Sequence, residues 1–232
     1  MDKYKNLEEK ISLSPTTTED NLNQKSNNVN NVKNKERINK NFDFSSWNST
    51  CDWNVLIVNG ANCIPEDYKV NTVTYDGLKV DSRIYKPLDS MFRAAKNDGI
   101  NLTLSSAYRD NELQEILFER EVKEYTDSGY SQSVAENLAK KSVAFPGTSE
   151  HATGLAIDLN GVTDDFKYTD EYEWLCNNAY KYGFIQRYSE DKQEITGIIS
   201  EPWHYRYVGV ENAKEIINGN YCLEEYVYNL MN

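Results

Sequence analysis

The sequence predicts an α+β fold, in which a small central antiparallel sheet is flanked by helices. Apolar residues at helical spacing lie mostly in the earlier part of the folded region, whereas short apolar runs of strand length lie mostly in the later part. Because helices and strands are segregated in this way, an antiparallel sheet is favoured. The length of 232 residues suits one domain with a hydrophobic core of its own.

Local signals predict the elements one by one. The run WNVLIV at 53–58 predicts a buried strand, and apolar spacing after Pro87 predicts a helix over 87–96 that ends before Gly99. Asp110 is a suitable N-cap for a helix that continues to about residue 127. The other predicted strands cover 102–105, 154–159, 184–187 and 203–208, and the other predicted helices cover 133–141, 171–182 and 211–217.

Residues 1–44 predict a disordered tail, because they are rich in Asn, Lys, Ser and Thr and show no apolar periodicity. The folded domain is therefore expected over 45–232. The first residues, MDKYKNLEEKISLS, lack the apolar segment of a secretion signal. A complete chain with this start is expected in the cytoplasm, and a chain whose anchor was removed is expected at the cell envelope.

Composition excludes several classes of partner. The net charge is −12, and residues 1–44 hold eight basic against seven acidic side chains, so the acidic excess lies in the folded part. An acidic surface repels nucleic acid. No apolar run approaches the roughly 20 residues that span a bilayer, so no transmembrane segment is predicted. The protein is also expected to be a monomer. For the four cysteines, a Cys51–Cys63 disulfide and buried free thiols both remain open.

The two histidines of the chain each have an acidic residue nearby in sequence. Asp158 follows His151 by seven residues, and Glu201 precedes His204 by three. Two imidazoles and one carboxylate are the protein ligands of a catalytic zinc site, and a further carboxylate can take a proton from water. A hydrogen-bonded structural histidine is the simpler interpretation of either residue alone, but the paired acidic residues, together with the family resemblance of the residues around them, favour the metal site.

The segments around both histidines resemble a known family. PGTSEHATGLAIDL (146–159) and EPWHYRYVG (201–209) are similar to the zinc motifs of the VanY and VanXY D-alanyl-D-alanine carboxypeptidases, whose fold is shared with lysostaphin-type enzymes and the hedgehog domain. SSAYRDNELQ (105–114) extends the resemblance. The resemblance implies the following roles for individual residues. Zinc is held by His151, Asp158 and His204; Glu201 is the catalytic base; Arg109 binds substrate and stabilises the oxyanion; Gln114 and Ser149 line the substrate pocket.

The resemblance also implies the reaction, which is removal of the C-terminal D-alanine from a peptidoglycan stem peptide or from free D-Ala-D-Ala. An L,D-carboxypeptidase or a phage-type peptidoglycan endopeptidase would use the same zinc chemistry on the same scaffold. A zinc-binding module without catalysis is a third alternative. The presence of Glu201 and Arg109 favours an enzyme over that module.

Overall fold

A four-stranded antiparallel sheet lies at the centre of the fold, and a two-stranded hairpin precedes it. The computed structural model describes residues 38–232. The hairpin pairs β1 (Thr72–Tyr75) with β2 (Leu78–Asp81). The sheet contains β3 (Leu104–Ser106), β4 (Ala156–Leu159), β5 (Phe184–Tyr188) and β6 (Glu201–Tyr207), in the spatial order β3-β4-β6-β5. The predicted α+β class with an antiparallel sheet is confirmed.

Helices surround this sheet, and short 3₁₀ turns join several of them to the strands. In chain order the helices are α1 (Ser45–Asn48), α2 (Tyr85–Asn97), α3 (Asn111–Asp127), α4 (Gln132–Ala139), α5 (Asp170–Asn178), α6 (Gln193–Thr196), α7 (Val210–Gly219) and α8 (Leu223–Met231). The apolar side of α2 is buried at Leu88, Met91 and Ala95, as its sequence spacing predicts.

Two predicted helix boundaries have the expected physical cause. The Asp110 side chain accepts a hydrogen bond from Leu113 N at 2.9 Å and so begins α3. Gly183 ends the turn that follows α5, with φ of 85°. A Cβ at this position would lie 2.8 Å from the Tyr207 ring and 2.9 Å from the Gly209 backbone, so only glycine fits without displacement.

Residues 55–58 of the segment 53–58 are buried, but the segment is not a strand, so this part of the prediction is wrong. Side chains, rather than a neighbouring strand, satisfy its backbone: Trp47 Nε1 donates to Val55 O at 3.0 Å, and Arg206 Nη2 donates to Leu56 O at 2.9 Å. Asn48 bonds both the N–H and the C=O of Ile57. Apolar composition predicts burial here, but it does not specify the hydrogen-bond partners.

The sequence analysis did not predict the hairpin, the helix α8 or the short helices α1 and α6. The hairpin turns at Asp76 and Gly77, which both have positive φ values, of 48° and 81°. An Asp-Gly pair between β-forming residues is a signal for this type of turn, and it was available in the sequence. Helix α8 begins with Cys222 N donating to Glu225 Oε2 at 3.0 Å.

The folded part of the chain includes residues that the sequence assigns to the tail. Ile38 and Phe44 are fully buried with residues of the C-terminal helix, and the Phe42 ring makes an edge contact with Tyr228. A few buried apolar residues are enough to pack a polar segment against the domain, and the composition of the segment does not reveal them. The rest of the predicted tail, residues 1–37, lies outside the described residues.

Two further expectations concern cysteines and membranes. All four cysteines lie within the described residues and are free thiols, but only Cys222 is buried, whereas Cys63 and Cys176 are exposed. Between residues 38 and 232, no helix has the length and apolar character needed to cross a membrane.

Candidate active site

His151, Asp158 and His204 meet in the interior of the domain. Asp158 on β4 and His204 on β6 are direct cross-strand partners, and residues paired in this way have neighbouring side chains. His151 lies on the turn Glu150–Thr153 that leads into β4. His151 Nε2 is 3.4 Å from Asp158 Oδ2, and His204 Nδ1 is 3.2 Å from Asp158 Oδ1. All three residues are buried.

The turn that carries His151 depends on Gly154. This residue has φ of 71°, and a Cβ here would lie 3.0 Å from Asp81 N, whose N–H donates to Gly154 O. The turn therefore packs directly against the end of β2. The chain then enters β4 at Ala156, five residues after His151.

The donor atoms of these three residues fit a cation. Their ligand atoms all lie within 4.8 Å of one another. His151 Nδ1 faces Ala107 O at 2.6 Å, which directs Nε2 into the site. Neither His151 Nε2 nor Asp158 Oδ1 has a hydrogen-bond partner among residues 38–232, although both atoms are buried. Two imidazole nitrogens and a carboxylate oxygen are a donor set typical of zinc.

Contacts within the site keep Asp158 ionised. Burial alone would raise the pKa of the Asp158 carboxyl, but its close contacts with the His151 and His204 rings hold it well below its usual range. Burial and the Arg109 guanidinium lower the pKa of His151 to about 4, so this imidazole is neutral. A neutral imidazole and a carboxylate are the forms that bind a metal ion.

Glu201 lies beside the three predicted ligands at the start of β6. Its Oε2 is 3.4 Å from His204 Nδ1. Burial raises the pKa of Glu201 to about 8, and the Asp158 carboxylate adds to this effect, whereas His204 and Arg109 oppose it. A carboxylate whose pKa lies near neutrality can both accept and donate a proton, which suits a general base.

Arg109 lies beside Asp158, after the end of β3. Its backbone N–H donates to His151 O at 3.3 Å, and its Nη2 lies 3.7 Å from Asp158 Oδ2. Arg109 Nε is buried and has no hydrogen-bond partner in the described part of the chain. The guanidinium therefore has donor capacity left for an anionic group in the site.

Gln114 and Ser149, the two further residues predicted in the substrate pocket, are both buried beside the site. Gln114 Oε1 accepts from Arg109 Nη1 at 3.2 Å, and its Nε2 donates to Ala144 O at 2.7 Å. Ser149 Oγ accepts from His151 N at 3.4 Å. Each side chain thus contacts a predicted active-site residue, and direct contact with substrate stays a prediction for both.

A buried cluster of four charged residues, which the sequence analysis missed, lies behind His204. It consists of Glu150, Arg187, Arg206 and Glu224, all 0–2% exposed. Glu150 Oε1 accepts from Arg187 Nε at 2.8 Å and from Arg206 Nη1 at 2.7 Å. The position of Glu150 next to His151 could have indicated its place near the site. Its partners Arg187 and Arg206 are 37 and 56 residues away, and no sequence pattern points to them.

The sequence profile of a family described as VanY, D-alanyl-D-alanine carboxypeptidase, matches residues 77–210, which include every predicted site residue. The chain belongs to this family. The VanY resemblance seen in the motifs is therefore confirmed, and the chain is a member of an enzyme family.

Individual relatives agree with the VanY assignment. A D-alanyl-D-alanine carboxypeptidase of Enterococcus faecalis is 43% identical over 177 residues, which are 76% of this chain and 66% of the relative. The chain thus spans about two thirds of the length of that relative.

Solved structures of VanY proteins are also similar. A zinc complex of a mutant of the vancomycin resistance D,D-pentapeptidase VanY is 44% identical, with a TM-score of 0.71, over 76% of this chain and 99% of that one. VanYB in complex with D-alanine-D-alanine is 43% identical, with a TM-score of 0.72, over 76% and 98%. The LD-carboxypeptidase LdcB is 35% identical, with a TM-score of 0.65, over 76% and 86%.

Proposed function

We propose that the chain is a zinc-dependent D,D-carboxypeptidase that removes the terminal D-alanine from peptides ending in D-Ala-D-Ala. The observation that carries this proposal is the convergence of His151, Asp158 and His204, with Glu201 beside them at 3.4 Å from His204. Three ligands and a separate carboxylate are what metal-assisted hydrolysis requires. The similar VanY structure that holds zinc supports the choice of metal.

In this proposal His151, Asp158 and His204 hold the zinc ion. When bound, zinc lowers the pKa of water and polarises the carbonyl of the bond that is cut. Glu201 accepts the proton of the attacking water at its carboxylate and then donates it to the amine of the leaving D-alanine. Burial, which raises the pKa of Glu201 to about 8, supports this role because it favours proton uptake by the carboxylate.

Arg109 supplies positive charge to the substrate. Its side chain is 16% exposed, so it is largely shielded from bulk water. A planar guanidinium can donate two N–H groups to a peptide C-terminal carboxylate or to an oxygen that gains negative charge during the reaction. Because the net charge of the chain is −12, attraction of an anionic peptide depends on this local positive charge.

The linkage that is cut is the part of the proposal with the strongest alternative, because an L,D-carboxypeptidase would use the same site. VanYB, which binds D-Ala-D-Ala, is more similar to this chain than the LD-carboxypeptidase LdcB, by identity and by TM-score. This ranking favours a D,D-linkage over an L,D-linkage. A stem pentapeptide and the free dipeptide both end in D-Ala-D-Ala, and both are included in the proposed substrate class.

Release of D-alanine from three peptides tests the proposal. A stem pentapeptide, a stem tetrapeptide and free D-Ala-D-Ala are incubated with the zinc-loaded chain, and D-alanine is measured. We expect turnover of the pentapeptide, the dipeptide or both, and little turnover of the tetrapeptide. Preferred turnover of the tetrapeptide would establish the L,D-activity instead, and zinc binding without turnover of any peptide would favour the non-catalytic module.

A further inference from the structure

The His204 ring contacts a carboxylate on each of its two nitrogen sides. Its Nδ1 lies 3.2 Å from Asp158 Oδ1 in the predicted metal site, and its Nε2 lies 3.7 Å from Glu150 Oε2 on the other side. Neither Nε2 nor Glu150 Oε2 has a hydrogen-bond partner among the described residues, although both atoms are buried. A shortening of less than about 1 Å would make a hydrogen bond between them.

Glu150 is held in place by two arginines. Its Oε1 accepts from Arg187 Nε at 2.8 Å and from Arg206 Nη1 at 2.7 Å, and all three side chains are inaccessible to solvent. The carboxylate is therefore a fixed acceptor, and its second oxygen, Oε2, is left for His204.

Each arginine is anchored in turn by a distant part of the chain. Arg187 Nη1 donates to Glu224 Oε2 at 2.8 Å, at the beginning of α8. Arg206 Nη2 donates to Leu56 O at 2.9 Å, in the buried segment near the start of the domain. The orientation of Glu150 is thus determined by both ends of the folded chain.

A neutral imidazole carries one N–H, and the other nitrogen offers a lone pair. A hydrogen bond to one nitrogen therefore decides which nitrogen can hold a metal ion, and carboxylates commonly play this role. When a cation occupies the site beside Nδ1, the lone pair of His204 lies on Nδ1, and the proton that remains lies on Nε2, which faces Glu150 Oε2 at 3.7 Å. For His151 the order is reversed, because Nδ1 faces Ala107 O at 2.6 Å.

We propose that Glu150 is a positioning residue that fixes His204 as the Nε2–H tautomer, so that Nδ1 faces the metal. The inference rests on the proposed zinc function, and it assigns opposite tautomers to the two metal-binding histidines. Glu150 itself does not touch the metal or the substrate. It acts through the orientation and proton position of His204.

Nitrogen-15 NMR of the histidine rings tests this tautomer assignment on the unchanged chain. Because the chain has two histidines, labelled histidine in the zinc-loaded protein gives two ring systems. The His204 ring is identified by its contact with Tyr188, whose ring centroid is 4.8 Å away. We expect a proton on Nε2 of His204 and on Nδ1 of His151. A proton on Nδ1 of His204, with zinc on Nε2, would overturn the inference.

Zinc affinity of Glu150 variants gives a second test, measured by competition with a chromophoric chelator. Glu150→Gln keeps the size of the side chain but removes the charge, and we expect zinc binding to weaken by roughly 10- to 100-fold. Glu150→Asp retains the carboxylate, so its affinity should lie between those of the parent and Glu150→Gln.

Glu224→Gln is the matched control, because it removes a charge from the same cluster without contacting His204. We expect it to lower the thermal midpoint while zinc affinity stays within a few fold of the parent. Equal weakening of zinc binding in Glu150→Gln and Glu224→Gln would show a merely structural role and overturn the inference. If the parent chain binds no zinc, the proposed function fails instead, and the two failures are therefore distinguishable.

Discussion

Glu201 and His204 lie three residues apart on β6, yet Glu201 Oε2 is 3.4 Å from His204 Nδ1. In a regular strand, residues three apart point to opposite faces of the sheet. The pairing of β5 with β6 is irregular at this point, since its register shifts between Gln186 and Tyr188. Pro202, which has no N–H to donate, lies between the two residues. This local irregularity brings the predicted base and the predicted ligand to one site.

Removal of zinc should abolish activity. We expect one zinc ion per chain by elemental analysis, because His151, Asp158 and His204 form one donor set within 4.8 Å. Dialysis against a chelator should stop release of D-alanine, and added zinc should restore it. Full activity in a metal-free preparation would contradict the proposed mechanism.

Glu201→Gln should separate proton transfer from metal binding. The variant loses the carboxylate that accepts the proton of water, so we expect turnover to fall by roughly 10² to 10⁴-fold while bound zinc stays near one equivalent. His204→Ala should lose zinc as well. The control is Glu211→Gln, whose side chain is 83% exposed and which should behave as the parent. Parental turnover in zinc-loaded Glu201→Gln would exclude Glu201 as the base.

Replacement of Arg109 by lysine should impair the enzyme although the charge is kept. Lysine lacks the planar pair of N–H donors, and it cannot reproduce both the bond to Gln114 Oε1 and the donors that face the site. We expect zinc content to be unchanged and kcat/KM to fall by at least about tenfold, or by about 1.4 kcal/mol of transition-state stabilisation.

Arg93→Lys is the matched control for Arg109→Lys, because Arg93 is 77% exposed and pairs only with Asp89 among the salt bridges of the described chain. Its kinetics should match those of the parent. Equal kcat/KM values for the Arg109 and Arg93 variants would show that the geometry of the Arg109 guanidinium has no part in the reaction.

Two deletions should locate the true start of the folded domain. Removal of residues 1–37 should leave kcat/KM on a soluble stem peptide within a few fold of the parent. Removal of residues 1–44 takes away Ile38, Phe42 and Phe44, of which Ile38 and Phe44 are fully buried. This second deletion should lower the thermal midpoint markedly, since loss of one buried phenylalanine side chain costs about 3–5 kcal/mol. Equal stability of the two truncated proteins would contradict this boundary.

Local signals in the sequence account for much of the fold. The cap at Asp110 begins α3 and Gly183 ends the turn after α5, because helix ends depend on the few residues that surround them. The segment 53–58 shows where such signals fail. Its apolar residues correctly predict burial, but its hydrogen bonds come from Trp47, Asn48 and Arg206, and no pattern within the segment specifies them.

By itself, the sequence determined the residue types and the motif spacing that single out the two histidines and their acidic neighbours. Only the tertiary structure decided which side chains surround each of them, because pairing of β4 with β6 joins Asp158 to His204 across 46 residues. It also brought Glu150, Arg187, Arg206 and Glu224 into one buried cluster behind His204. Electrostatic and hydrogen-bonding interactions depend on distance in space, and the chain sets that distance only when it folds.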